Sequence, residues 1–191
     1  QDMEPAWVDS LSQLLLPDGL LYVMGDSQQQ LYEREAFDMS GAVQIRCMDN
    51  FRTPRRLVDV INRLQLVPDK IEARSAYEGE WPNFHVWEAV KTSPQGQLEA
   101  CLHQLWQDGY TPEQVAVISW RGHKGSEALQ QDKLAGQPTR RFTGDYDSAG
   151  NPAWSHGRLL TESLYRFKGQ SAPVVVLCEV DFEQLGPREQ R

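Results

Sequence analysis

Apolar residues at Trp7, Val8, Leu11, Leu14 and Leu15 recur at helical spacing, with Pro5 suited to the first turn and Pro17-Asp18-Gly19 as a stop. Leu20 to Met24 is an apolar run too short for a helix. Bounded by Gly19 and Gly25, it has the pattern of a strand buried on both faces. Val43, Ile45 and Cys47 alternate with polar neighbours and predict a strand leading into Asn50-Phe51-Arg52. Thr53 as cap and Pro54 as first residue then open a helix with Leu57, Val58, Ile61 and Leu64 on one face, ending before Pro68.

The segment from Val67 to Trp81 reads as a loop and Phe84 to Val90 as a strand. Pro94 opens a helix whose buried stripe is Leu98, Cys101, Leu102 and Leu105, with Gly109 as its stop. Val115 to Ser119 predicts a buried strand, followed by a weaker helix around Ser126 to Leu134. Gly136 to Gly157 is rich in Gly, Pro, Asp, Ser and Asn and predicts a long surface excursion. Leu159 to Tyr165 and Pro173 to Val180 read as two closing strands joined by a turn from Arg166 to Ser171. Strands alternating with helices predict an α/β fold, with a mainly parallel sheet covered by helices on both faces.

Composition narrows the function classes. The 191 residues are 40% hydrophobic, with six each of Trp, Tyr and Phe, which suits a packed globular protein and excludes disorder throughout. A net charge of −8 argues against coating duplex DNA or anionic lipid by bulk charge, so any nucleic-acid contact must be local. Cys47, Cys101 and Cys178 are odd in number and far apart, which fits a reducing, cytoplasmic setting rather than a disulfide framework or a CxxC metal site. No apolar run approaches the ~20 residues of a membrane span, so no membrane partner is expected. The opening at Gln1 reads as the middle of a working segment, and the chain is expected to be a piece of a longer protein.

The sequence holds no GKS or GKT phosphate loop and no HExxH, GxSxG or GxGxxG. His85, His103, His123 and His156 lack ligand spacing, so no metal site is expected in this chain. Gly25 to Tyr32 reads GDSQQQLY and follows an apolar run, and in open α/β sheets ligands gather beyond the carboxyl ends of strands. There Gly25 allows a sharp exit, Asp26 is a carboxylate at the sheet edge, Gln29 can orient a water or a phosphate oxygen, and Tyr32 offers a ring for a base. The plainer alternative is a polar turn closed by a packed tyrosine. Arg52 precedes a helix and can bind a ligand there, the plainer alternative being a capping or salt-bridge arginine, and Arg55 and Arg56 read as a solvated helix face. Lys168 reads either as a site residue or as a hairpin-turn lysine in solvent. Trp87 and Trp106 fit the core, whereas Trp120 at a strand exit can pack or face DNA.

GDSQQQLY, then NFRTP, then a Lys168-Gly169 turn entering an apolar strand resemble, in wording and in order, the superfamily 1 DNA helicases of the UvrD/Rep type. The resemblance implies a RecA-like fold of the P-loop NTPase type without its own P-loop. Residues 1–40 would be the tail of a first RecA-like ATP-binding domain, and 41–191 most of a second. The family's insertion would be reduced to about 128–160. Gln1 and Asp2 resemble the end of the family's DEAQD box.

By the same likeness, Gln29 would sense the terminal phosphate of ATP and Tyr32 would contact single-stranded DNA. Phe51, where the family has tyrosine, would stack on adenine, and Arg52 would reach the γ-phosphate as an arginine finger. Asp26 and Gly169 would line the nucleotide. Ser163, Tyr165, Lys168 and Gly169 resemble the TxHxxKG segment that holds the DNA backbone, with Tyr165 where histidine is usual and Gln170-Ser171 in place of Leu-Glu. The implied cofactors are ATP and Mg2+, held with the help of a missing N-terminal RecA-like domain and not tightly by this chain. The implied partner is single-stranded DNA and the implied activity ATP-dependent translocation, with this chain inactive alone. The competing expectation is a non-catalytic RecA-like module that binds nucleic acid or protein.

Overall fold

The computed structural model describes residues 3–26, 41–87 and 93–180. The chain divides into two units that meet between Pro82 and Asn83. The expected domain boundary near residue 40 falls outside the described residues.

In the first unit, Pro5 opens helix α1 (Pro5–Ser12), which buries Val8. Leu20 to Met24 is not the buried strand that its composition suggests. It runs without strand pairing, and Leu20, Tyr22 and Met24 are exposed. A parallel core strand exists only through hydrogen-bonded neighbours, and the described residues offer this run none. Val43 and Ile45 are likewise exposed, and the strand expected there shortens to β1 (Asp49–Asn50), parallel to β2 (Glu72–Ala73).

Helix α2 (Arg55–Arg63) forms as the pattern predicts but starts differently. Pro54 takes the cap position, and the Arg55 and Arg56 N–H groups donate to the carbonyls of Tyr77 and Glu78, 3.0 Å each. Backbone from 77–78 thus does the work expected of the Thr53 side chain. Gly79 permits this approach: at φ +73° its missing Cβ would lie 2.5 Å from Pro54 Cβ. Arg56 is not a solvated residue, since its guanidinium bonds Glu78 and Glu80 at 3.1 Å and lies over the Trp81 ring.

The second unit carries the main sheet. Helix α3 (Pro94–Gln107) is capped by Ser93, whose Oγ accepts the Gly96 N–H at 3.0 Å, and it ends at Gly109 with φ +93°. Its Leu98 and Leu102 pack with Val115 and Val117 of β3 (Val115–Ser119), buried at every position, and with Leu134 and Leu159. Phe84 to Trp87, the described part of another expected strand, forms none, and Phe84 and Val86 are exposed.

The helix expected from Ser126 to Leu134 is replaced by α4 (Gly122–Gly125), a 3-10 turn at Ala128–Gln130 and β4 (Lys133–Leu134). The start is capped as a helix start would be, with the Glu127 and Ala128 N–H groups on the Glu179 carboxylate and that of Leu129 on Ser126 Oγ. The helix stops because Gln131 turns extended, the Gln131 and Asp132 carbonyls accept from Thr139 Oγ1 and N–H, and Lys133–Leu134 pair with the next strand. Ala135 and Gly136, both at positive φ, turn β4 back into β5 (Gln137–Arg140). The region read as a surface excursion therefore holds β5 and a hairpin, β6 (Phe142–Tyr146) with β7 (Pro152–Trp154).

β8 (Leu159–Ser163), helical turn α5 (Leu164–Phe167) and β9 (Val174–Cys178) complete the unit. The sheet order is β4-β5-β8-β3-β9, with β5, β8, β3 and β9 parallel and β4 antiparallel at one edge. β8 and β9 are thus not a hairpin. β3 lies between them, and the Arg166–Ser171 segment belongs to a crossover. The protein is α/β with a mostly parallel five-stranded sheet. Val174, Val176 and Cys178 pack against the core under α3, while Val175 and Leu177 on the opposite face are half exposed. Among the described residues no helix is long and apolar enough to cross a membrane.

Candidate functional site at the carboxyl ends of the strands

Register fixes which side chains meet. Ser119 lies opposite both Ser163 and Cys178, so three strand ends finish in one row. Immediately beyond, Glu179 adopts φ +56°, a conformation that costs a non-glycine residue and persists only where its surroundings impose it. What imposes it is a set of donors. The Glu179 carboxylate accepts the Ser119 hydroxyl and the N–H groups of Glu127 and Ala128 at 2.7 and 3.0 Å, and Ser119 Oγ accepts the Arg121 N–H at 3.2 Å.

Burial alone would raise the Glu179 pKa, but the hydrogen bonds from Ser119, Ser126 and the two backbone amides outweigh it and hold the carboxyl below its ordinary value. A carboxyl whose folded pKa is depressed stabilises the fold above its unfolded pKa, and that contribution fades as pH falls through the folded value. Glu179→Gln is therefore expected to lower the melting temperature at pH 7, with the gap from wild type shrinking below about pH 4, as read by thermal unfolding monitored by circular dichroism. A pH-independent gap would show that the charge of Glu179 is not what holds the corner. Cys178 beside it is no nucleophile, because burial first, with the Glu179 charge second, pushes its thiol pKa up to about 12.

A second carboxylate, Glu162, is 0% exposed. Its Oε1 accepts the Ser163 N–H at 2.7 Å, its Oε2 pairs with Arg166 Nε at 3.1 Å, and His123 Nε2 lies 3.6 Å from Oε1. Burial opposes the charge on Arg166, yet hydrogen bonds to Tyr146 and Glu162 leave its pKa above the ordinary value. The same guanidinium lies 3.7 Å from the centroid of the Phe142 ring.

The residues singled out in the sequence fall into three groups. Gln1, Asp2, Gln29 and Tyr32 lie outside the described residues, and Asp26 is exposed on the extended segment just before residue 27. In the first unit Asn50 builds the turn that carries Phe51 and Arg52. Its Oδ1 accepts the Arg52 and Thr53 N–H groups at 3.1 and 2.8 Å, and its Nδ2 donates to Thr53 Oγ1 at 3.1 Å. Phe51, 69% exposed, and Arg52, also exposed, are displayed side by side on that turn.

In the second unit Ser163, Tyr165, Lys168 and Gly169 share one turn. Ser163 is buried and caps α5, accepting the Arg166 N–H at 3.4 Å. Tyr165 is exposed, Lys168 ends α5, and Gly169 at φ +83° lets the chain swing toward β9. Sequence reasoning missed Glu162, Arg166, His123 and Glu179. The available signal was a lone carboxylate inside the apolar run Leu159-Leu160-Thr161-Glu162, since a buried charge must be paired. Comparison with protein-family models, curated proteins and solved structures finds no match to this chain.

Proposed function

We propose that the chain is the C-terminal part of an ATP-dependent single-stranded DNA translocase or helicase, with the mostly parallel sheet belonging to a second RecA-like domain. The observation that supports this best is the Asn50 turn, which ties down the backbone of two consecutive residues and displays an aromatic ring beside a guanidinium. That pair fits a nucleotide: the Phe51 ring suits a base face, and the planar, permanently charged Arg52 suits two phosphate oxygens. In the reading, Arg52 neutralises charge on the transferred phosphoryl group, catalysis is positioning and electrostatics, and cleft closure is the moving step. Tyr165 and Lys168 meet the DNA on the α5 turn while Ser163 shapes it. Gln29 and Tyr32 belong to the same reading through the sequence alone.

The described residues supply no cluster of three carboxylate, histidine or cysteine side chains for a magnesium ion. ATP would be held jointly with a phosphate-binding loop that this sequence does not contain. The test is steady-state phosphate release with saturating single-stranded DNA. The 191-residue chain is expected to release none, and the full-length gene product to turn over ATP under DNA stimulation. A full-length product that binds DNA without hydrolysing ATP would make the protein a binding module instead.

A further inference from the structure

We propose that the β6–β7 hairpin is a stacking platform for the bases of single-stranded DNA, held at the carboxyl edge of the sheet by Glu162 acting through Arg166. This deepens the translocase reading and rests on it for the choice of partner.

The placement follows from topology. β5 and β8 are parallel, so both end at the same edge, and after Arg141 the chain continues from β5 into β6. The hairpin carries three aromatic rings, Phe142, Tyr146 and Trp154, none of which belongs to the hydrophobic core beneath α3. They instead form a separate cluster. Tyr146 and Trp154 meet Phe142 edge-on, at centroid distances of 5.4 and 6.4 Å. Two arginines cap the rings, Arg166 over Phe142 at 3.7 Å and Arg140 over Trp154 at 5.2 Å. Tyr146 is 60% exposed.

Aromatic faces interleaved with arginine are what sequence-tolerant single-strand binding uses, because every base has a face to stack. Charge agrees. Between Ser119 and Gly169 the chain has eight basic and five acidic side chains, and with Glu113, paired with Arg158, and Glu179, bonded to the 127–128 backbone, counted in, the local net is +1 in a protein whose net charge is −8. This meets the requirement, set by overall charge, that any nucleic-acid contact be local. It also accounts for the buried carboxylate. Fully desolvated, Glu162 is tolerable only when paired, and its pairing with Arg166 directs that guanidinium onto Phe142 at the base of the hairpin. Glu162 is thus a positioning residue, and the rings make the contact.

The experiment is fluorescence anisotropy of a labelled dT15 oligonucleotide with the 191-residue chain, alongside an abasic strand of the same length. Wild type is expected to bind dT15 more tightly than the abasic strand. Tyr146→Ala should weaken dT15 binding roughly five- to 150-fold, the range for losing one stacked base, and leave abasic binding nearly unchanged. Tyr146→Phe, which keeps the ring and gives up only the hydroxyl's hydrogen bond with Arg166, should retain most of the dT15 affinity. Equal wild-type affinity for the two strands overturns the proposal without any variant. So does a folded Tyr146→Ala protein that binds dT15 as wild type does. If Lys168→Ala weakens binding while hairpin variants do not, the DNA-binding reading stands and the platform falls. If wild type binds neither strand at low salt, both fall.

Discussion

In the translocase proposed above, replacing Arg52 by alanine is expected to lower DNA-stimulated ATP turnover about 10³-fold while leaving ATP affinity within a few fold. The separation follows from where the residue sits. Its N–H is fixed by Asn50 Oδ1, so truncating the side chain leaves the turn and the neighbouring Phe51 ring in place. A guanidinium that acts on developing phosphoryl charge contributes in the transition state more than in the bound ground state, and its loss therefore appears in turnover. Arg52→Lys, which keeps the charge but loses the planar fork, should fall between wild type and alanine. Turnover and nucleotide affinity measured on the same preparations decide the matter. A loss of less than tenfold, about 1.4 kcal/mol, would make Arg52 a structural residue.

Gly157→Ala is expected to destabilise the second unit by about 3 kcal/mol or more, at the upper end for overpacking. A Cβ there would fall well inside contact distance of the Thr139 carbonyl carbon and oxygen, and 2.5 Å from the Arg140 nitrogen. These are backbone atoms of β5 and cannot swing aside as a side chain would. The corner from Ser155 to Arg158 is bonded to the same strand, with Ser155 Oγ donating to the Thr139 carbonyl at 2.7 Å and the Arg158 N–H to the Pro138 carbonyl at 3.0 Å. Moving β5 to make room also strains its pairing with β8, where Thr139 faces Leu159. For a unit of this size the drop in melting temperature should be roughly 12 to 24 °C. Gly144→Ala is the control. It has positive φ, which Gly157 does not, but its Cβ would meet nothing within 4 Å, so only the conformational cost of ~1 to 2 kcal/mol applies. Equal shifts for the two variants would mean that β5 yields freely.

The sequence was most informative where an element brings its own cover. β3, β8, β9 and α3 were readable because each carries enough apolar surface in one pattern, between clear stops, to require burial. Leu20 to Met24 and Val43 to Cys47 have similar patterns and yet lie exposed, since an apolar run states a need for partners without supplying them. The β6–β7 hairpin was hidden for the opposite reason. Its rings satisfy one another across a turn rich in Gly, Asp and Asn, and composition there suggests only a loop. The Glu179 corner was equally illegible, because its bonds reach back 51 and 52 positions to Ala128 and Glu127 and no local spacing encodes them. Of the candidate site, the Asn50-Phe51-Arg52 block was visible as a motif, whereas the roles of Asn50 in making the turn and of Ser163 in capping α5 emerged only from their hydrogen bonds.

The strand order also bears on how the protein is made. β3 lies at the centre of the parallel strands, yet both of its neighbours come later in the chain, and Ser119 waits for Cys178. At translation rates of about 5 to 20 residues per second, those 59 positions take roughly 3 to 12 s to synthesise. For the first 44 of those positions β3, the most fully buried strand of the sheet, has neither edge paired, and the edge that faces β9 stays open to the end of the interval. The nascent chain is then open to wrong strand partners, and chaperone capture during this window would favour a high yield of folded protein.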